Sequence, residues 1–421
     1  MQDTRASAKL RFPRRYLAIM NSPQSSLLDR FLYLDAALQR YRWLWSAQPF
    51  KQNRPPWCER LPEFTAHLLN LPTEQVERYT TDSALCLQLL AEHLPQYRPE
   101  LQQLGRQLIL PQYQQSAAAD AGPHIIWEIP GRKWQQITAF QRAVTPAAAS
   151  VVEWCGGKGH LGRLLVSQWR VPATTLEWDE TLCKEGERLA ARAGTQQRFY
   201  CCDVHSIHAV DHLKQHHVVA LHACGSLHRK LLRDAVAAGV PALDLAPCCY
   251  AHGMSDEYAP FSALATLNLS RDEVRLAVTD STTAAPAQLR LRDREMAWKL
   301  GFDVLRRERL QVDEYRSIPS INKAWLNLTY HEFCGQLAQR DGLELPAGLD
   351  WQLYESAGWH RQREVMRLSL VRMAFRRAVE LWLVLDMANY LTQHGYRVSL
   401  GTFCERTVSP RNILLSARKT D

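Results

Sequence analysis

The chain has 421 residues, 46% hydrophobic and 22% charged, so it can bury a core large enough for two domains or for one domain with a large extension. No stretch approaches the ~20 consecutive apolar residues that cross a bilayer, which excludes a membrane-spanning helix. The formal net charge of +8 favours an anionic partner without identifying it.

The N-terminal residues are rich in arginine and lysine. Five basic side chains precede residue 16, a composition that resembles a transit peptide. Because Met20 is followed by a polar stretch, we instead interpret 1–25 as a disordered or dispensable leader, with Met20 as an alternative start.

The eleven cysteines show no even spacing and include two adjacent pairs, Cys201–Cys202 and Cys248–Cys249. Cysteines in apolar runs such as FYCCDV indicate reduced, buried thiols, so we expect a cytoplasmic protein. CxxC and HxH pairs are absent from the sequence, and we predict no metal site. Cys248, Cys249 and His252 come nearest to a ligand set, but a structural role is favoured for them.

Residues 26–115 are predicted to form a helical N-terminal domain. Apolar residues recur at helical spacing in SLLDRFLYLDAALQRYRWLW, LPEFTAHLLNLPTEQVERY and SALCLQLLAEHL, and prolines separate the segments. The small, polar run QQSAAADAGPH, at 114–124, is predicted to be a linker.

The apolar periodicity changes near residue 150. Short apolar runs (SVVEWC, ATTLEWD, RFYCCDV, HVVALHACG and PALDLAPCCY) alternate with helical segments. This alternation predicts an α/β domain over 125–421, with a parallel sheet and helices on both faces. Helices at about 284–300 and 361–394 and the closing strand NILLSARK are expected to complete it.

The segment VVEWCGGKGHLG carries the strongest chemical signal. A buried strand is predicted to end at Glu153, and Gly156, Gly157 and Gly159 form a turn before the helix HLGRLLV. Glycines let the backbone approach a ligand closely, and the helix N-terminus presents N–H groups. The same letters fit a GxGxxG dinucleotide fingerprint, so an NAD-dependent oxidoreductase remains an alternative.

Three acidic residues are predicted at successive strand ends. Glu153 is placed to hold a water or a backbone amide near a methionine ammonium group, and Glu177 to accept two ribose hydroxyls, as in NAD folds. Asp203 is placed to accept an adenine amino group. Because ligands bind at this edge of an open α/β sheet, the set favours S-adenosylmethionine (SAM).

Several motifs resemble a known family. GGKGHLG, LHACGSL, PCCY and the late SPRN are similar to those of the methyltransferase-like proteins called ribosomal-RNA adenine dimethylase domain-containing. GRKWQQITAF resembles the helix before their glycine turn. Two further proteins look like related branches of that family. They are the tRNA acceptor-stem 2′-O-ribose methyltransferase and the glutathione S-transferase C-terminal-domain-containing protein. The resemblance implies a Rossmann-like, seven-stranded class I methyltransferase domain. Cys155 and Ala251 depart from the family pattern.

The acceptor side of the site is expected at the fourth and fifth strand ends. His222 is the candidate base and also lies on the cofactor side, and Tyr250 is predicted to be a lid that stacks on a planar acceptor. Cys248, after Pro247, is a candidate nucleophile of the kind used by cytosine-C5 methyltransferases, although packing beneath the SAM site is favoured for it.

A basic run is the candidate surface for RNA. Arg363, Arg367, Arg372 and Arg376 form two pairs at i, i+4 spacing on a predicted helix. They predict either a solvated helix face or a surface that follows phosphates. The leading hypothesis is therefore a SAM-dependent methyltransferase acting on tRNA or rRNA. Alternatives are a protein methyltransferase acting on a ribosomal or translation component and a non-catalytic scaffold.

Overall fold

The computed structural model describes residues 26–117, 122–280 and 282–420, so the predicted leader and Met20 lie outside the described residues. Within the part that the structure describes, no helix is both long and apolar enough to span a membrane. The chain divides into two compact units. Unit 1 contains Leu104–Thr279 together with the described residues up to Arg40 and from Arg376, and unit 2 contains Tyr41–Gln103 and Asp280–Phe375.

Helices and strands are numbered in chain order. The helices are α1 Leu27–Arg40, α2 Arg42–Trp45, α3 Trp57–Arg60, α4 Pro62–Leu69, α5 Thr73–Thr81, α6 Ser83–His93, α7 Arg98–Gln107, α8 Gly122–Ile126, α9 Gly131–Ala143, α10 His160–Trp169, α11 Glu180–Arg192, α12 Ser226–Ala238, α13 Arg271–Leu276, α14 Pro286–Leu310, α15 Tyr330–Asp341, α16 Trp351–Met373 and α17 Arg376–Gln393. The strands are β1 Val151–Trp154, β2 Ala173–Glu177, β3 Gln197–Cys201, β4 His217–Cys224, β5 Ala242–Cys248, β6 Tyr396–Thr402 and β7 Ile413–Lys419.

Unit 1 is built around a seven-stranded sheet with the order β3-β2-β1-β4-β5-β7-β6. Strands β1 to β5 are parallel, whereas β7 is antiparallel to both β5 and β6. The strand order reverses between β1 and β4, and ligands bind outside the carboxyl ends of strands at such a switch point. The predicted Rossmann-like α/β fold with a helical N-terminal region is confirmed.

The predicted strands correspond to β1–β5 and β7, but β6 was not predicted. Its sequence, YRVSLGT, exposes Arg397 and Ser399 and contains a glycine, so its apolar signal is weak. Strand β6 also pairs with the chain just before the linker predicted at 114–124. Tyr113 donates its backbone N–H to Thr402 O at 2.9 Å, and its hydroxyl donates to Ser399 O at 3.0 Å. The chain is therefore already bound to β6 just before residue 114.

Helix α1 packs against α17 within unit 1. Phe31 stacks on Trp382 with ring centroids 5.4 Å apart, and the buried Asp35 accepts a 3.0 Å hydrogen bond from the indole N–H of Trp382. The same carboxylate accepts from the backbone N–H groups of Thr266 (3.0 Å) and Leu267 (3.2 Å). Because a buried carboxylate requires such partners, these bonds tie α1 to unit 1.

The unit boundaries differ from the predicted domains, 26–115 and 125–421. Unit 2 combines helices from both ranges, because α16 packs against α4, α5 and α6. Its α14 and α16 also cross closely at two glycines. A Cβ on Gly358 would lie 2.8 Å from the backbone nitrogen of Gly301, and a Cβ on Gly301 would lie 2.6 Å from the Tyr354 carbonyl. These backbones can approach so closely only because neither glycine carries a side chain.

Candidate cofactor cavity and active site

A cavity of about 750 Å³ lies in unit 1 at the carboxyl ends of β1, β2 and β4. This volume is within the range of sites that hold small organic ligands. Five of the predicted site residues line it: Glu153, Gly156, Gly157, Glu177 and His222. The topology therefore brings the glycine-rich turn, two of the three predicted acids and the candidate base to one concave surface.

The glycine-rich turn has a backbone shape that requires its glycines. Gly157 and Gly159 have φ of 61° and 63°, a left-handed conformation that costs a residue with a side chain roughly 1–2 kcal/mol. Gly156 is restricted by space, because a Cβ there would lie 2.5 Å from the carboxyl carbon of Glu153. Cys155 also has a positive φ, 54°. The turn therefore accommodates the Cys155 side chain at a position where the proteins that this sequence resembles have glycine.

Glu153 anchors the start of α10. Its Oε2 accepts a 3.1 Å hydrogen bond from the backbone N–H of Gly162 and a 2.9 Å bond from the hydroxyl of Thr175. Burial raises the pKa of Glu153 to about 7, and the bonds from Thr175 and Gly162 only partly offset this effect. The carboxyl group thus joins β1, β2 and α10 at the cavity wall.

Glu177 is held in place by backbone donors. Its Oε2 accepts from the N–H of Gly157 at 2.9 Å, and its Oε1 accepts from the N–H groups of Trp178 (3.0 Å) and Asp179 (3.1 Å). A carboxylate has about four acceptor positions, so these three bonds leave capacity for a ligand hydroxyl. The indole of the adjacent Trp178 is 75% exposed and presents an apolar ring surface next to this carboxylate.

Asp203, the predicted adenine acceptor, lies after β3 and outside the cavity wall. The residue is exposed, and its Oδ1 accepts a 2.9 Å hydrogen bond from the backbone N–H of His205. The structure therefore shows Asp203 in a local turn contact, and this residue does not line the cavity.

Helix α9 contributes cavity residues that the sequence-based site omitted. Arg132, Lys133 and Gln136 line the cavity. The Gln136 side chain donates to the Val408 carbonyl at 3.0 Å, and its Oε1 lies 3.2 Å from His222 Nε2. The signal was present in GRKWQQITAF, because residues three apart share one face of a helix.

His222 lies at an irregularity of β4. Its φ is 68°, and the pairing of β4 with β5 shifts register between Leu221 and Cys224. Burial, followed by the nearby positive charge of Arg411, lowers the pKa of His222 to about 4. The imidazole is therefore neutral near pH 7, and its low pKa makes it a weak base.

Two predicted catalytic roles are not supported. The lid role of Tyr250 is wrong, because the ring is 2% exposed, packs edge-on against His228 and points its hydroxyl towards Glu380 Oε1 at 3.5 Å. Cys248 is also buried. Hydrogen bonds with Cys224 and Cys249, together with burial, raise the pKa of the Cys248 thiol, which disfavours a nucleophilic thiolate.

The arginines predicted to contact RNA do not form one exposed row. Three lie on α16 in unit 2 and one begins α17 in unit 1: Arg363, Arg367, Arg372 and Arg376. Arg363 is exposed, whereas Arg367 Nε donates to the Leu71 carbonyl at 3.0 Å. Arg376 is buried and donates to the Thr279 carbonyl at 2.7 Å. Arg376 is therefore not placed to contact phosphates, and the guanidinium groups of Arg367 and Arg376 bond backbone carbonyls.

Residues 132–256 match a family model described as "Methyltransferase domain". The matched segment contains β1–β5, the glycine-rich turn and most of the cavity wall. Comparison of the whole chain with curated proteins and with solved structures gives no significant match. The match, together with the seven-stranded sheet, supports a methyltransferase.

Proposed function

We propose that this chain is a SAM-dependent methyltransferase that binds SAM in the cavity beside the glycine-rich turn. The observation that carries the proposal is the junction of Glu177 with Gly157, which places an anchored carboxylate at the end of β2 next to backbone that a ligand can approach closely. A carboxylate in this position accepts a ribose hydroxyl. The methyltransferase-domain match supports SAM rather than a nicotinamide cofactor.

The residues around the cavity fit a zwitterionic, nucleoside-containing ligand. Glu177 would hold the ribose, and Lys133 and Arg132 offer positive charge for the methionine carboxylate. SAM supplies an electrophilic methyl group on a sulfonium ion, so the chain must align the acceptor and exclude water. Glu153 acts as a positioning residue, because its bonds fix the start of α10 and it fills the space behind Gly156.

The state of His222 bears on the acceptor atom. A hydroxyl acceptor must lose a proton, and a neutral imidazole whose pKa is lowered to about 4 is a poor base for that step. A nitrogen acceptor already carries a lone pair and needs desolvation and alignment.

RNA is the proposed acceptor class. The net charge of +8 supports it, because the phosphates of RNA are attracted to positively charged proteins. The four arginines of the sequence-based hypothesis contribute less support, since Arg376 is buried and Arg367 is bound to the backbone.

The test is to incubate the protein with isotope-labelled SAM and separated RNA and protein fractions of a cell lysate. Label in RNA that survives protease, is lost on nuclease treatment and is absent with Glu177→Gln would support the proposal. Label confined to protein would replace RNA by a protein acceptor. SAM binding without label in either fraction would favour a non-catalytic scaffold.

A further inference from the structure

Three cysteine thiols meet at the carboxyl ends of β4 and β5. Cys224 ends β4, Cys248 ends β5, and Cys249 follows directly. The first two are register partners in the sheet, with their Sγ atoms 3.1 Å apart, and all three Sγ atoms lie within 4.8 Å of one another. We propose that these three thiols form a thiolate site for a soft or borderline divalent cation, with Zn²⁺ as the first candidate.

The separation of the sulfur atoms suits a common metal ion. Zinc–sulfur bonds of about 2.3 Å in a tetrahedral site place sulfur atoms ~3.8 Å apart. The observed 3.1 Å contact and the 4.8 Å upper limit bracket this value, so small side-chain rotations would complete the geometry. Thiolates select zinc and similar ions over hard cations such as Mg²⁺ or Ca²⁺.

The backbone around the cluster is strongly restrained. Cys249 has φ of 42°, a left-handed conformation that is unfavourable for a residue with a side chain. The loop that follows is tied down, because His252 donates its N–H to Cys249 O at 2.8 Å and accepts at its own carbonyl from the N–H of Ser226 at 2.9 Å. A Cβ at Gly225 would overlap the same His252 carbonyl. Local contacts therefore hold Cys249 beside the ends of both strands.

The cluster leaves a coordination position for another ligand. Three cysteines supply three of the four ligands of a tetrahedral ion, and sites with three protein ligands keep the fourth position for water or substrate. Cys249 is exposed, so solvent reaches the cluster. Cys224 Sγ lies 3.4 Å from the carbonyl of His222, whose ring lines the cavity. A bound ion would therefore stand beside the surface from which an acceptor reaches the proposed SAM site.

The spacing of these residues explains why the sequence did not indicate a metal site. Cys224 and Cys248 are 24 residues apart in the chain, and their strands are neighbours only in the sheet. The residues considered from sequence, Cys248, Cys249 and His252, include two members of the cluster. The third member is Cys224, whereas His252 is exposed and contributes through its backbone.

The proposal is tested by metal binding to the full-length reduced protein, without SAM. We expect about one Zn²⁺ per chain after dialysis against a weak chelator. We also expect Co²⁺ to produce the charge-transfer and d–d absorption of a tetrahedral thiolate site. Cys224→Ser, Cys248→Ser and Cys249→Ser should each lose stoichiometric Zn²⁺ and change the Co²⁺ spectrum. The double variant Cys201→Ser/Cys202→Ser, which removes the adjacent cysteine pair after β3, should retain both properties.

A second measurement applies to the unmodified chain in case a variant fails to fold. Bound Zn²⁺ should protect the exposed Cys249 and the half-buried Cys224 from alkylation mapped by mass spectrometry, while the exposed Cys201 reacts as before. Equal labelling of these two thiols with and without Zn²⁺ would overturn the proposal, as would full metal retention in the three single variants. A Cys224–Cys248 disulfide that resists reduction and prevents metal uptake would also overturn it, in favour of a redox pair.

Discussion

The carboxylate of Glu177 accepts a 2.9 Å hydrogen bond from the backbone N–H of Gly157, 20 residues earlier in the chain. This bond joins the end of β2 to the glycine-rich turn. The Glu177 side chain therefore has two effects. It shapes the turn, and it offers a hydrogen-bond acceptor to a ligand in the cavity. The two effects are separable by experiment.

We expect Glu177→Gln to lower SAM affinity at least tenfold, because a charge-assisted bond to a ribose hydroxyl contributes ~1.5–3 kcal/mol. We also expect a loss of ~1–3 kcal/mol in the free energy of unfolding without ligand, since three backbone N–H groups lose a charged acceptor. Titration calorimetry and denaturant unfolding measure the two effects. Glu187→Gln, the same change at an exposed position of α11, is the matched control and should change neither quantity appreciably. Unchanged SAM affinity in Glu177→Gln would exclude the ribose contact.

The strand ends show how far sequence reasoning could go. Glu153 and Glu177 were placed correctly at the cavity because each ends a strand with a strong apolar signal next to the switch point. Asp203 does not line the cavity and follows β3 in a turn whose direction depends on its own bond to His205. Apolar periodicity predicts where a strand lies, but it does not predict which way the residues after the strand turn.

Residues that depend on tertiary contacts were harder to predict. Tyr250 is buried beneath His228 and Glu380, and Glu380 lies on α17, 130 residues away in the chain. No local sequence pattern predicts this burial. Arg376 similarly donates a hydrogen bond to the Thr279 carbonyl, 97 residues away in the chain. Spacing on a helix shows which residues share a face, whereas burial of that face depends on the neighbouring elements.

We expect SAM or S-adenosylhomocysteine to raise the melting temperature, and NADH to leave it unchanged. A ligand at a hundredfold excess over its Kd stabilises the folded state by about 2.7 kcal/mol. Differential scanning fluorimetry measures the shift, and Glu177→Gln should reduce it. A shift with NADH and none with either SAM compound would reverse the assignment of the cofactor.

The pH dependence of stability should identify Glu153. Its pKa is raised from 4.5 to about 7 by burial, so folding favours the protonated form. The stabilising contribution of this group is complete below pH 4.5 and is lost as pH rises through about 7. We expect Glu153→Gln, which stays neutral, to remove up to about 3 kcal/mol of this dependence in denaturant unfolding between pH 5 and 8. An identical pH profile in the variant would contradict the raised pKa.

Close packing at the start of α10 should make Gly162 sensitive to substitution. A Cβ there would lie 2.6 Å from Gln197 Nε2 and 2.7 Å from Glu153 Oε2. We expect Gly162→Ala to lower the free energy of unfolding by ~1–3 kcal/mol, because the buried neighbours must shift. Gly335→Ala is the control, since that glycine lies inside α15 with nothing within 4 Å of a Cβ. It should be neutral or stabilising by ~0.5–1 kcal/mol. Equal effects of the two changes would contradict the packing argument.

The exposed Arg363 and the buried Arg376 should respond differently to loss of charge. Arg376→Gln withdraws the donor from the Thr279 carbonyl, so we expect a loss of ~1–3 kcal/mol in the free energy of unfolding. Arg363→Gln should leave stability within ~0.5 kcal/mol of the parent, because surface changes have small effects.

The same two variants also test RNA binding. Because each replaces a single arginine, the effect of the exposed Arg363 is measured separately from that of the buried Arg376. If Arg363 contacts a phosphate, the slope of log affinity against log salt should fall by ~0.7–0.9 in Arg363→Gln, because one fewer counterion is released. Arg376→Gln should keep the parental slope, since its guanidinium is buried and bonded to a backbone carbonyl. Fluorescence anisotropy with a labelled RNA over a range of salt concentrations gives both slopes. A parental slope in Arg363→Gln would exclude a phosphate contact by Arg363 and remove this residue from the RNA hypothesis.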